Sequence, residues 1–122
     1  DPALVVRSKG HVTECVTLHD GACRRLDVDA LTAVRDLLAQ HQMPHIAGLP
    51  SFQCGAAGYI GYDWGATLER LPAPRYDDLG IPDVVLGIYD CVIAWDHAEG
   101  RAWIMASGFP ELGASCRMNV WT

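Results

Sequence analysis

Residues 55–63 read Gly55-Ala56-Ala57-Gly58-Tyr59-Ile60-Gly61-Tyr62-Asp63, with three glycines spaced three residues apart and two tyrosines among them. A dinucleotide-binding turn needs Gly-x-Gly-x-x-Gly between a strand and a helix, and a phosphate-binding loop needs Gly-Lys followed by Ser or Thr. Neither pattern is present, so no cofactor site is predicted here. Missing side chains instead favour a strand that another backbone or ring approaches closely, with Tyr59 and Tyr62 covering apolar surface.

The composition around this stretch indicates one small globular domain. The chain has 122 residues, half of them apolar, and a net charge of −6. An acidic chain lacks the clustered Lys and Arg that nucleic acid requires. No apolar run is long enough to cross a bilayer, and no signal-peptide pattern is present. We therefore expect a cytoplasmic protein that binds neither nucleic acid nor membrane.

The cysteines and histidines do not form a recognisable metal or redox motif. The chain contains five cysteines and no Cys-x-x-Cys pair, so zinc ribbons and thiol–disulfide motifs are not predicted. His41 and His45 have the spacing of two ligands on one helix face, but Pro44 lies between them and disfavours helix. We predict no metal site and place His41 near the negative end of a helix dipole.

The pattern of apolar and turn-forming residues predicts an α+β fold, mostly antiparallel β-sheet with one main helix. Apolar residues recur at helical spacing after Asp27 and Asp29, either of which can cap the helix, and the pattern ends near His41. The remaining predictions are strands at 3–7, 11–18, 22–26, 56–62 and 101–107, a loop at 43–53, a short helix at 64–70, an irregular segment at 72–82, and one buried strand or two joined strands at 84–96.

A family resemblance rests on the stretch LPSFQCGAAGYIGYD at 49–63. It resembles L-P-P-F-x-G-G-x-x-G-Y-x-G-Y-D in the family that contains aminodeoxychorismate synthase component I and anthranilate synthase component I. LERLP at 68–72, IPD at 81–83, GIYD at 87–90 and DH at 96–97 match later family motifs. Gln53 and the GIYD segment look closer to the aminodeoxychorismate branch. The motif residues, expected to be structural, are Gly55, Gly58, Tyr59, Gly61, Tyr62, Asp63, Pro82, Asp83, Tyr89, Asp90, Asp96 and His97.

The resemblance implies a part of the family's N-terminal scaffold at 1–110, followed by an atypical tail at 111–122. In the family, chorismate and Mg²⁺ bind in a large C-terminal domain that this chain does not contain. The resemblance therefore gives no catalytic, cofactor-binding or metal-binding residue here, and the chain alone is expected to be inactive. The complete enzyme would add ammonia from a glutamine amidotransferase partner to chorismate, making 4-amino-4-deoxychorismate for p-aminobenzoate and folate biosynthesis.

Two alternatives stay open beside this interpretation. The chain could be an inert remnant or interaction module, or the corresponding region of anthranilate synthase component I in tryptophan biosynthesis. Cys54, Ser51 and Cys91 stand where the family usually has Gly, Pro and Trp. If position 54 needs φ > 0, Cys costs on the order of 1 kcal/mol, and a buried Trp lost at 91 leaves a cavity worth roughly 3–5 kcal/mol.

Two further expectations concern the apolar run at 84–95. Cys54 and Cys91 could be neighbours if the glycine strand pairs with residues 89–96, and we expect free thiols in a reducing compartment. The run is too long to be buried wholly by one helix and short strands, so part of it should form an exposed apolar patch. Such a patch predicts self-association.

Overall fold

A computed structural model describes residues 1–72, 76–108 and 119–121. The described part is built from antiparallel strands and one α-helix, as predicted. The strands are β1 (Leu4–Lys9), β2 (Val12–Thr17), β3 (Cys23–Leu26), β4 (Gly55–Ile60), β5 (Val84–Tyr89), β6 (Cys91–Asp96), β7 (Arg101–Ala106) and β8 (Asn119–Trp121), and the helix is α1 (Ala30–Gln40).

The larger sheet has the strand order β3-β2-β1-β5-β4. Alternate residues of each strand point to one face, so Val6 of β1 and its register partners Cys15 and Leu86 share a side. The helix α1 packs on this side, against β1 and β4. The resulting core is a buried cluster of Val6, Cys15, Ala30, Ala33, Val34, Trp64, Val84 and Ile88.

Helix α1 begins and ends where the sequence predicts. Of the two candidate caps, Asp29 is the one used, and its carboxylate accepts hydrogen bonds from the amides of Leu31 and Thr32 at 3.0 Å. It also accepts one from the Thr32 hydroxyl at 2.6 Å, and these bonds lower the pKa of Asp29. His41 is the C-cap, so its predicted place at the helix end is confirmed.

The smaller sheet has the strand order β6-β7-β8. The apolar run at 84–96 forms two strands, which was one of the two predicted alternatives, and a bend at Asp90 separates them. On one face of this sheet Trp103 and Met105 are buried. On the other face Ile93, Trp95 and Ile104 are 51%, 63% and 41% exposed, which confirms that the run is not wholly buried.

Several predictions need correction. The short helix predicted at 64–70 is a 3-10 helix, Tyr62–Thr67, which both begins and ends earlier than predicted. Its C-cap is Leu68, whose amide donates to the Gly65 carbonyl oxygen. No described residue other than glycine has a positive φ, so the strain considered for Cys54 is absent. Cys91 is exposed, so the cavity expected there is also wrong.

The tail predicted at 111–122 lies mostly outside the described residues. Of that segment, only Asn119–Trp121 is described, and its backbone pairs with β7. Residues 76–82 contain no helix or strand, in agreement with the irregular segment predicted there. In the described ranges, no helix combines the length and apolar character that a bilayer crossing requires.

Candidate functional site

The glycine strand β4 is shaped by close backbone approach to β5. A Cβ built on Gly58 would overlap the carbonyl oxygen of Val85 and lie 2.9 Å from its carbonyl carbon. A Cβ on Gly61 would lie 3.1 Å from the carbonyl oxygen of Asp83. Gly55 has φ +140°, a conformation that side-chain-bearing residues rarely adopt. The close approaches at Gly58 and Gly61 therefore serve the passage of β4 along the chain that forms β5. The structural role of the whole motif stays a prediction.

Four motif residues meet at the end of β4, in what we call the Pro82–Asp83 junction: Tyr59, Gly61, Pro82 and Asp83. The Tyr59 hydroxyl donates to the carbonyl oxygen of Pro82 at 2.9 Å. The Gly61 amide donates to the carbonyl oxygen of Asp83 at 2.6 Å. The Asp83 amide in turn donates to the carbonyl oxygen of Ser8 at 2.7 Å. The junction thereby fixes the chain as it enters β5, between β4 and β1.

The Asp83 carboxylate connects the same junction to the β1–β2 turn. It accepts from the Gly10 amide at 2.7 Å and from Lys9 Nζ at 3.1 Å. Lys9 Nζ also bonds the Ile81 carbonyl oxygen at 2.9 Å and forms an ion pair with Asp77 at 2.7 Å. The bond to Asp77 raises the pKa of Lys9, and the same bond lowers the pKa of Asp77. These bonds hold the β1–β2 turn against the segment that enters β5.

The sequence did not reveal the Lys9–Asp83 contact or the role of Gln53. Gln53 is 6% exposed, and its side-chain amide bonds both the amide and the carbonyl oxygen of Ile46, at 3.0 and 2.8 Å. From the sequence, Gln53 indicated only which branch of the family the chain resembles. A single amide matched to one backbone residue leaves no periodic pattern, so no sequence signal could have found this pairing.

Tyr89 and Asp90 mark the corner between the two sheets. Tyr89 ends β5, and the carbonyl oxygen of Asp90 accepts from the Ser107 amide at 2.7 Å and from Cys54 Sγ at 3.2 Å. Burial raises the pKa of the Cys54 thiol, which keeps it protonated and poorly nucleophilic. Cys54 and Cys91 are close, as expected, because Gly55 pairs with Tyr89 and Cys54 Sγ reaches the Asp90 carbonyl oxygen. The expected strand pairing is wrong, since Cys91 belongs to β6 and β4 pairs with β5. All four described cysteines are free thiols.

Asp96 and His97 form the β6–β7 turn. One oxygen of the Asp96 carboxylate accepts from the amides of Ala98 and Glu99, at 2.9 and 3.0 Å, which closes the turn. His97 is exposed beside an open groove of about 430 Å³, which Leu49 and Pro50 also line. Two stretches of the family pattern that are far apart in the sequence therefore meet at this turn.

Tyr62 does not cover apolar surface as expected. Tyr62 is 86% exposed and Asp63 is also exposed, at the start of the 3-10 helix. In the described part of the chain, the prediction that Tyr62 covers apolar surface is therefore wrong. Tyr59, at 44% exposure, is held by its bond to Pro82.

An open groove of about 1090 Å³ lies beside the start of β1. Its lining combines apolar and polar side chains: Pro2, Ala3, Leu4 and Leu18 with Asp1, Thr17, His19, Gln40, His41 and Asp90. Burial lowers the pKa of His41, which favours the neutral form of its imidazole. Within residues 1–72, 76–108 and 119–121, no group of three or more His, Cys, Asp or Glu could hold a metal ion.

Known proteins are similar to most of this chain. The chain is 42% identical over 92 residues to anthranilate synthase component 1 of Mycolicibacterium smegmatis, which covers 75% of this chain and 17% of that protein. It is 39% identical over 75 residues to the protein of the same name from Pseudomonas aeruginosa, covering 60% and 15%. This chain is similar to one segment of anthranilate synthase component 1. It spans less than a fifth of the length of these two relatives.

The fold agrees with that similarity. The crystal structure of anthranilate synthase component I from Streptococcus pneumoniae TIGR4 superposes with a TM-score of 0.67 and 24% identity, over 84% of this chain and 21% of that one. The mostly antiparallel fold with one main helix is thus that of a segment of anthranilate synthase component I. No protein-family model matches the chain. The aminodeoxychorismate branch stays a prediction, since both of these relatives are named anthranilate synthase component 1.

Proposed function

We propose that this chain is a non-catalytic N-terminal scaffold of a chorismate-aminating enzyme of the component I type. The observation that carries the proposal is the use of the motif residues. Tyr59, Gly61, Pro82 and Asp83 bond backbone or one another, and Asp96 closes a turn. Motif residues whose bonds hold the backbone in place fit a region that supports a catalytic centre located elsewhere in a longer polypeptide.

The names of the relatives favour the anthranilate branch of that chemistry. The aminodeoxychorismate branch is the second candidate, supported by the GIYD wording at 87–90. The Gln53 marker is weaker support, because its buried amide serves the loop at Ile46 and either enzyme could need that loop. In both readings chorismate and Mg²⁺ bind in the C-terminal domain, and a glutamine amidotransferase subunit supplies ammonia. The scaffold packs on that domain, in the cytoplasm.

A chimera tests the scaffold function. The 92-residue segment of the Mycolicibacterium smegmatis protein that aligns with this chain is replaced by the matching residues of this chain. We expect a soluble chimera that forms anthranilate from chorismate, ammonia and Mg²⁺, followed by its fluorescence. The same chimera with Gly58→Val is the control, since any side chain at 58 collides with the Val85 carbonyl. An insoluble or inactive chimera would contradict the proposal.

An activity assay of the chain by itself tests the prediction that it contains no catalytic residue. With chorismate, ammonia and Mg²⁺ we expect no aminated product above a control without protein. Turnover that disappears on substitution of a residue in this chain would overturn that expectation.

The genomic DNA around the coding region distinguishes a scaffold from an inert remnant. A reading frame that continues into a chorismate-binding domain supports the scaffold, and an interrupting stop codon supports the remnant.

A further inference from the structure

Strand β6 lies at an edge of the smaller sheet. In the described part of the chain it pairs with β7 alone. An edge strand presents a row of backbone donors and acceptors that another strand can use. The direction in which each residue of β6 points its backbone groups therefore decides what the edge can bind.

One hydrogen bond at the start of β6 sets those directions. The Asp90 carbonyl oxygen accepts from the Ser107 amide at 2.7 Å, so the backbone of Asp90 points towards the β7 side. In an antiparallel ladder the direction alternates from residue to residue. Val92, Ala94 and Asp96 then point to β7, and Cys91, Ile93 and Trp95 point their N–H and C=O groups out of the sheet.

The side chains of these outward-bonding residues also share one face. Cys91, Ile93 and Trp95 are exposed, and Ile104 lies directly opposite Ile93 on β7. None of the positions from 91 to 95 carries a charge or a proline. Natural sheets use Lys, Pro or bulges to block unwanted pairing at an edge. This edge has none of these at its centre.

We propose that β6 pairs in antiparallel fashion with β6 of a second copy of this chain, about a two-fold axis at Ile93. Ile93 then lies opposite Ile93 of the second copy, and Cys91 opposite its Trp95. Each of these pairs exchanges both N–H···O bonds, so all the outward groups are satisfied. The exposed apolar faces of both copies become one continuous surface.

Other registers are poorer. A shift of one residue places the apolar face of one copy opposite the buried face of the other. A shift of two residues moves either Cys91 or Trp95 beyond the end of the partner strand. The register centred on Ile93 is therefore the one that uses the whole edge and keeps the faces aligned.

Size and charge set the strength of this pairing. Two paired edge strands bury less than the roughly 800 Å² per partner of a standard stable interface. The register also places Asp90 opposite Asp96 of the second copy, and each chain has a net charge of −6. The dimer is therefore weak, depends on concentration, and is strengthened by salt, which screens the like charges.

The test combines sedimentation velocity with amide hydrogen exchange on the whole chain, at concentrations from about 10 to about 500 µM. We expect dimers at the upper end, more of them in high salt, together with slower exchange at the amides of Cys91, Ile93 and Trp95. A chain that stays monomeric throughout would overturn the proposal. So would protection of these amides that does not change with concentration, because the edge would then be covered within one copy.

A matched pair of variants separates edge pairing from packing of apolar faces. Ile93→Pro removes an N–H that bonds nothing within one copy, so the fold should survive while dimerisation weakens by about tenfold or more. Ile93→Thr keeps the N–H and should weaken dimerisation much less. Ile104→Thr, on the central strand, reduces the apolar face alone. Equal weakening by all three would overturn edge pairing in favour of face packing. Circular dichroism checks folding, and Trp95→Pro, which removes another outward N–H, replaces Ile93→Pro if that variant is unfolded.

Discussion

Substitution of Gly58 by alanine tests whether the glycine motif serves backbone approach. A Cβ at this position overlaps the Val85 carbonyl oxygen and lies 3.0 Å from Leu86 Cα. Both neighbours are backbone atoms of β5, a strand held on its other side by β1, so they cannot rotate away as a side chain would. The edge strand β4 has to move instead, which strains its pairing.

The magnitude follows from the cost of overpacking. Forcing a methyl group into a packed site costs typically about 1–3 kcal/mol, and an immovable neighbour favours the upper half of that range. We therefore expect Gly58→Ala to lower the free energy of unfolding by about 2–3 kcal/mol. For a domain of this length the melting temperature should fall by about 6–15 °C.

Urea unfolding followed by tryptophan fluorescence measures the effect, since Trp64 is buried in the core. Two other glycines provide matched controls. Gly61→Ala meets the Asp83 carbonyl oxygen at 3.1 Å and should cost less, about 1 kcal/mol. In Gly100→Ala the added Cβ has no atom within 4 Å, so the only cost comes from the left-handed φ of +64°. If Gly58→Ala proves no more destabilising than Gly100→Ala, the close-approach explanation of the motif is refuted.

Other expected outcomes follow from the junction, the helix cap and the corner thiol. Asp83→Ala removes the acceptor of the exposed Gly10 amide and should lower the free energy of unfolding by about 1 kcal/mol in urea titration, against a smaller effect of Asp83→Asn. Asp29→Ala should cost about 1 kcal/mol at neutral pH. Because the folded pKa of Asp29 is lowered, its contribution is present above the unfolded pKa and is lost as pH falls through the folded value, so thermal melts of wild type and Asp29→Ala should converge in acid. Burial raises the pKa of Cys54, so mass spectrometry should find it alkylated by iodoacetamide more slowly than the exposed Cys91; equal rates would contradict that burial.

Local features of the fold could be predicted from the sequence. Helix α1 and its end at His41 follow from apolar spacing and from Asp29, whose carboxylate reaches amides only two and three residues away. The β1–β2 hairpin and the β6–β7 hairpin follow from turn residues between apolar strands. Each of these signals lies within a few residues of the feature that it specifies.

Features that join distant parts of the chain could not be predicted in the same way. The pairing of β1 with β5 and the bond between Lys9 and Asp83 connect residues more than 70 positions apart. The segment at 62–67 has a helical pattern too short to distinguish an α-helix from a 3-10 helix. The separation of the apolar run into two sheets had one visible signal, the lone charge of Asp90, and the sequence alone allowed either outcome.

The motif identifies the fold segment while it says little about the reaction, and the contacts give the reason. Gly58 is required by the Val85 carbonyl, Asp83 by the Gly10 amide, and Asp96 by the amides of its turn. Each partner is a backbone group, so the requirement comes from the path of the chain and not from any substrate. An anthranilate-forming and an aminodeoxychorismate-forming enzyme that share this path would need the same residues. Under the scaffold function proposed above, substitutions at Gly58, Asp83 or Asp96 should therefore lower the stability of the scaffold without changing which product the chimera forms.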